Sequence, residues 1–179
     1  MTPVSPDYGL PSPWVIKWAS HIAPGGLVLD LAAGSGRHTK FLVSRGFVVE
    51  AVDRDISALA ELAATYPNVQ VRQHDLEREG WPYRAHQFAG IVVTNYLHRL
   101  LFPDLIDALA PGGVLIYETF ALGNEVFGKP SNPNFLLRPG ELLETVHGRL
   151  RVLGYEDVFQ CEPKPAMVQR ICAIAGMLV

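Results

Sequence analysis

Cysteine is scarce in this chain, with two in 179 residues, and basic residues give no excess: 15 lysines and arginines stand against 18 aspartates and glutamates, a formal net charge of −3. Cys161 and Cys172 form no CxxC or Cys/His pattern, so no metal is expected and both read as reduced, structural residues of a cytosolic protein. The missing positive charge removes the electrostatic footprint that a phosphate backbone requires, so nucleic acid is not an expected partner, although a small nucleotide is not excluded. No apolar run approaches the length of a membrane span, and the four prolines of Met1–Pro13 replace the basic-then-apolar pattern of a targeting segment. A cytoplasmic protein without a membrane partner is expected. Repeats and low-complexity segments are also lacking. With 49% hydrophobic residues there is enough for one core, and 1–179 reads as a single domain behind a flexible lead over 1–11.

What the chain does have is Val28-Leu-Asp-Leu-Ala-Ala-Gly-Ser-Gly36, an apolar run that breaks into a small, glycine-bearing turn. Leu27–Leu31 has the continuous apolar character of a strand buried on both faces, and Arg37–Ser44 reads as a helix ended by Gly46. Such a turn joins a strand's carboxyl end to a helix's amino end, where ligands lie in open α/β sheets. Tight packing alone would also use these small residues. Strand and helix signals alternate beyond it. Before it, Ser12-Pro13 starts a helix striped by Trp14, Val15 and Trp18. After it come strands over 47–52, from Val69 to Asp75, over 88–94 and over 114–117, with helices over 56–65, capped by Asp55, and over 104–109. Thr119–Arg138 has no clear period, and a loop of that length is functional or disordered. Phe120, Phe127, Phe135 and Leu136 favour a lid-like, partly ordered cover. A helix over 141–147 and an antiparallel hairpin, 151–160 and 168–177, complete the chain.

The carboxylates near the turn narrow the ligand. Gly34-Ser-Gly36-Arg-His-Thr39 ends on threonine where a dinucleotide fingerprint wants glycine, and Asp30 beside the turn would repel a pyrophosphate while suiting an ammonium group. Asp53, at the end of the second strand, sits where a ribose lies over the sheet, and its two oxygens can accept from both ribose hydroxyls. Asp75, after the third strand, can accept from an adenine amino group while Leu76 packs on the ring; a plain surface turn would use an aspartate equally well.

Together these residues resemble the class I S-adenosylmethionine-dependent methyltransferases. Val28–Gly36 looks like that family's first motif, Ala51-Val52-Asp53 its second, His74-Asp75 its adenine contact and Leu109-Ala-Pro-Gly-Gly113 its turn before the fifth strand. The small tellurite-resistance-like branch is similar in size. Ala32 stands where the family often has glycine. The resemblance implies a Rossmann-like, doubly wound, seven-stranded and mostly parallel sheet whose last strand is inserted antiparallel beside the fifth, with S-adenosyl-L-methionine as cofactor. By it, the backbone of Ala32, Gly34 and Gly36 would hold the methionine end, with Asp30 orienting its amino group directly or through water. Asp53, with Arg54 beside it, would take the ribose, and Asp75 and Leu76 the adenine. Asn95 and Tyr96 would line the methyl-transfer position.

Thr94-Asn-Tyr-Leu-His98 lacks the Asn/Asp-Pro-Pro-aromatic pattern of enzymes that methylate base amino groups, which makes a small molecule the expected substrate. Methyl transfer needs no obligatory base; if one serves, His98 is the first candidate and Tyr96 the second, unless His98 merely flanks Arg99. Arg99, Lys129 and Arg138 are candidates for an anionic substrate or for solvated charge. Glu118 is expected to face the cleft, there to bind a cationic substrate or anchor the lid, and Tyr8 and Trp14 to close the site from the amino-terminal side. A monomer or homodimer is expected. The other readings are a cofactor-binding protein without transferase activity and, against Thr39 and Asp30, a nicotinamide-dependent oxidoreductase.

Overall fold

In the computed structural model, which describes residues 9–176, the alternating pattern folds into one seven-stranded sheet with helices on both faces. The strands are β1 (Leu27–Leu31), β2 (Val48–Asp53), β3 (Val69–Gln73), β4 (Phe88–Thr94), β5 (Leu109–Phe120), β6 (Leu150–Gln160) and β7 (Ala166–Ala175), in the spatial order 3-2-1-4-5-7-6. The first five pair in parallel, and β7 lies antiparallel between β5 and β6, as the resemblance implies.

The central strands β1 and β4 are nearly continuous apolar runs because each is covered on both faces, whereas β3 and β6 at the sheet's edges are more polar and exposed. On β1 and β4, Leu29, Leu31, Ile91 and Val93 belong to one core, while Val28 and Val92 belong to the core on the opposite face. The second core holds α1 (Pro13–Trp18) and α2 (Arg37–Ser44); Ser12 caps α1 by accepting from Trp14 N at 3.1 Å. The first core packs under α4 (Phe102–Asp107) and α5 (Glu141–Val146). The remaining helix, α3 (Ser57–Thr65), starts where the Asp55 carboxylate accepts from Ser57 N at 3.0 Å.

Several boundaries move. The 104–109 helix starts and ends earlier, as α4, because Leu109 already pairs with Phe88 and opens β5 ahead of the Pro-Gly-Gly segment. At its other end β5 runs on through Thr119 and Phe120, and Ala121 bridges to Leu137. That bridge closes the stretch expected as a lid. Inside it are two single 3₁₀ turns, Asn124–Val126 and Pro133–Phe135. Tyr8, most of the expected lead and the hairpin's last expected residue, Met177, lie outside the described residues. Among the described residues, no helix is long and apolar enough to cross a membrane.

Candidate functional site

Strand order reverses between β1 and β4, so the loops at their carboxyl ends part and leave a crevice there. The turn after β1 enters it with backbone that side chains seldom adopt. Ala32 has φ 53°, Gly34 55° and Gly36 83°. At Gly36 a Cβ would collide with the Leu62 and Leu59 side chains as well, whereas beside Gly34 there is only open space. Ala32 adopts a left-handed conformation with a methyl group attached, which is a local strain.

Asp53 ties β2 to this turn. Its Oδ2 accepts from Gly34 N at 2.8 Å and its Oδ1 from Asp55 N at 3.0 Å. It lines a cavity of about 450 Å³ together with Ala32, Arg54, Asp75 and Leu76. His74, Glu77, Tyr96 and Phe135 complete the wall. Asp75 is set by the turn after β3, where Oδ1 accepts from Glu77 N at 3.1 Å, and Leu76 is buried in the first core. A second cavity of about 210 Å³ adjoins the first and shares Glu77, Tyr96 and Phe135 with it. Asn95 reaches the site with φ 54°, its N–H donating to Glu118 O at 2.9 Å, and it lines this second cavity. Burial and the carboxylates of Glu77, Asp75 and Asp53 push the Tyr96 phenol well above its ordinary range, so it is a hydrogen-bond donor and a poor base at neutral pH.

Thus Ala32, Asp53, Arg54, Asp75, Leu76, Asn95 and Tyr96 come together, and Gly34 and Gly36 shape the turn beside them. Asp30 and His98 line neither cavity. Asp30 is buried under the turn, accepting from Thr39 Oγ1 at 2.6 Å, and burial lifts its carboxyl to about 6. His98 sits half-buried just before a 3₁₀ turn at Arg99–Leu101.

Glu118 is a correction. Side chains alternate along β5, so Glu118 falls on the face of Val114 and Ile116, beneath α1, instead of facing the cleft. There it accepts from Ser12 Oγ at 2.8 Å and pairs with Arg170 Nε at 3.1 Å. His38 completes the network: its Nε2 accepts from Ser12 N at 3.1 Å, and burial lowers its pKa to about 3, so it is neutral. Trp14, expected to close the site, is buried in the same core with Nε1 donating to Ile171 O at 3.2 Å. Arg99 and Arg138 are likewise engaged. Arg99 forks onto Glu141 at 2.6 and 3.0 Å and donates to the carbonyls of Asn134 and Leu136, while Arg138 pairs with Glu141 and Glu144. These contacts clamp the 122–136 loop to α5 and bring Phe135 over both cavities.

Sequence reasoning missed Glu77, whereas His74 entered it only as part of the His74-Asp75 pair. Glu77 lies two positions past Asp75 at the carboxyl edge of the sheet, so its nearness to a named candidate was the available signal.

Residues 28–113 match the family described as a methyltransferase domain. The fold is that of the class I methyltransferases. A protein-L-isoaspartate O-methyltransferase from Gloeobacter violaceus is 35% identical over 124 residues, 64% of this chain and 58% of that one. The chain spans 38 to 58% of the length of the curated relatives it matches. TehB from Haemophilus influenzae superposes with a TM-score of 0.73 at 19% identity, covering 98% of this chain and 63% of TehB, so the likeness to the tellurite-resistance-like branch holds at the level of fold. A Burkholderia thailandensis 1,6-didemethyltoxoflavin-N1-methyltransferase, solved with S-adenosylhomocysteine and its substrate, gives 0.71 at 18% identity over 92% of this chain and 77% of that one.

Proposed function

We propose that this methyltransferase-fold protein transfers a methyl group from S-adenosylmethionine to a small molecule. The observation that carries the reading is the 450 Å³ cavity at the switch point, within the range of about 300–1,000 Å³ usual for small-molecule sites, walled by Asp53, Asp75 and Glu77 against one arginine. That wall suits a ligand rich in hydroxyl, amino and sulfonium groups and repels a pyrophosphate. Open space beside Gly34 leaves room for the ligand's backbone-bound end.

When bound, S-adenosylmethionine supplies a methyl on a positively charged sulfur, whose S–C bond breaks with its electron pair passing to sulfur as the acceptor's lone pair makes the new bond. The chain's residues hold and orient. Asp53 keeps acceptor capacity for the ribose hydroxyls beyond its two backbone amides, and Arg54 flanks it. Asp75 takes the adenine amino group while Leu76 packs against the ring. The turn from Ala32 to Gly36 holds the methionine end, and Asp30, buried beneath it against Thr39, supports the turn. Asn95 and Tyr96 border the methyl position with Phe135 and its clamped loop beside them, so alignment supplies most of the rate. His98, away from both cavities, has no part in this arrangement.

Calorimetric titration with S-adenosylhomocysteine and with NAD tests the cofactor, and turnover of a panel of thiols, oxyanions and small amines tests the transfer. Binding of the first ligand alone, with turnover of one panel member, is expected. Failure to bind S-adenosylhomocysteine overturns the reading, and binding with a silent panel favours a non-transferring binder.

A further inference from the structure

The smaller cavity has a different character from the larger one. Tyr96, Phe120 and Phe135 give it three rings, Asn95 and Thr119 give it neutral polar edges, and Glu77 is its one charged group. Among the described residues, no lysine, arginine or histidine lines it. Arg99 and Arg138 are held by Glu141 and Glu144, with Arg99 further fixed by the Asn134 and Leu136 carbonyls. The neighbouring cavity adds Asp53 and Asp75 against the single arginine Arg54. An anion entering the smaller chamber would meet the Glu77 carboxylate with no cationic side chain in the lining to compensate.

We infer that this chamber receives the methyl acceptor and that the acceptor is a small planar aromatic or heteroaromatic amine, with Glu77 accepting from its N–H. The inference rests on the methyltransferase reading above. At about 210 Å³ the chamber lies below the usual drug-sized range and suits one or two fused rings, which the aromatic walls stack against. Glu77 and Tyr96 line both cavities, which puts the carboxylate and the phenol side by side where the two meet. As the acceptor nitrogen's lone pair forms the N–C bond, the proton it carried passes to the Glu77 carboxylate and on to water, leaving a neutral methylated amine. A carboxylate acceptor, which the name of the isoaspartate-methylating relative would suggest, lacks a cationic partner in this chamber.

The test is calorimetry with 4-aminoquinoline and quinoline-4-carboxylate, each titrated into protein saturated with S-adenosylhomocysteine and into protein alone. The amine binds at least about ten-fold tighter than the carboxylate, Glu77→Gln cuts that ratio below about three-fold, and Phe120→Ala weakens both probes with S-adenosylhomocysteine affinity retained. Equal or tighter binding of the carboxylate, or a ratio untouched by Glu77→Gln, overturns the inference. The two readings fail separately. Absent S-adenosylhomocysteine binding sinks the methyltransferase reading, while the probe pair on protein alone still decides the chamber's chemistry.

Discussion

Asp53 and Glu141 are both acids held at short distance, yet one faces a cavity and the other is buried. Asp53 accepts from two backbone amides, of Gly34 and Asp55, and a carboxylate offers about four acceptor positions, so capacity remains for a ligand. Glu141 spends three on Arg99 Nε, Arg99 Nη2 and Arg138 N. Asp75 and Glu77 fall with Asp53; Asp30 and Glu118 fall with Glu141, buried against Thr39 and against Ser12 and Arg170. The acids at the sheet's carboxyl edge line the cavities, whereas the acids buried beneath the helices against guanidinium or hydroxyl groups belong to the scaffold.

Substitutions on the scaffold side should change stability and leave binding nearly intact. Glu141→Ala frees the Arg99 fork and with it the loop clamp, and is expected to cost about 3 kcal/mol, read as a fall in Tm of roughly 6–12 °C. A fall under about 2 °C would make the clamp ornamental. Asp30→Asn works in the opposite direction. Its carboxyl titrates at about 6 in the fold against 3.8 unfolded, so the native state keeps a proton that the unfolded chain has released, and stability falls as pH rises through that window. The amide removes a penalty fully present above pH 6 and gone below 3.8. It should therefore stabilise the protein by about 2 kcal/mol at pH 7.5 and hardly at all at pH 4, measured as paired urea midpoints. A gain equal at both pH values would contradict the burial account. Ala32→Gly is the smallest change. Relieving the left-handed alanine should add about 1 kcal/mol with S-adenosylhomocysteine affinity within two-fold. A loss of stability would show that the Ala32 methyl packs usefully.

The sheet was legible because its cause is local. Apolar runs such as Leu27–Leu31 and Phe88–Thr94 mark strands covered on both faces, and the turn chemistry of 32–36 marks the crevice. The candidates Asp53, Asp75, Leu76, Asn95 and Tyr96 were legible for the same reason, since each sits at or just past a strand's carboxyl end. Partner choice was not legible. Glu118 pairs with Ser12 106 positions away, and Arg99 with Glu141 42 positions away, and neither spacing leaves a trace in composition. The face of Glu118 was nevertheless readable from the alternation of Val114 and Ile116 with Leu115 and Tyr117. The bend of β5 into a bridge at Ala121, which draws Phe135 over the cavities, depends on pairing with Leu137 and has no local signal.

The distinction between the two sets of acids is tested most directly by titrating S-adenosylhomocysteine into the parent protein, Asp53→Ala and Glu141→Ala by calorimetry. Asp53→Ala is expected to weaken binding by at least about thirty-fold, near 2 kcal/mol, while Glu141→Ala at a temperature where it stays folded binds within about three-fold of the parent. Parent-like binding by Asp53→Ala, or an equal loss in both variants, would contradict the assignment of Asp53 to the ligand.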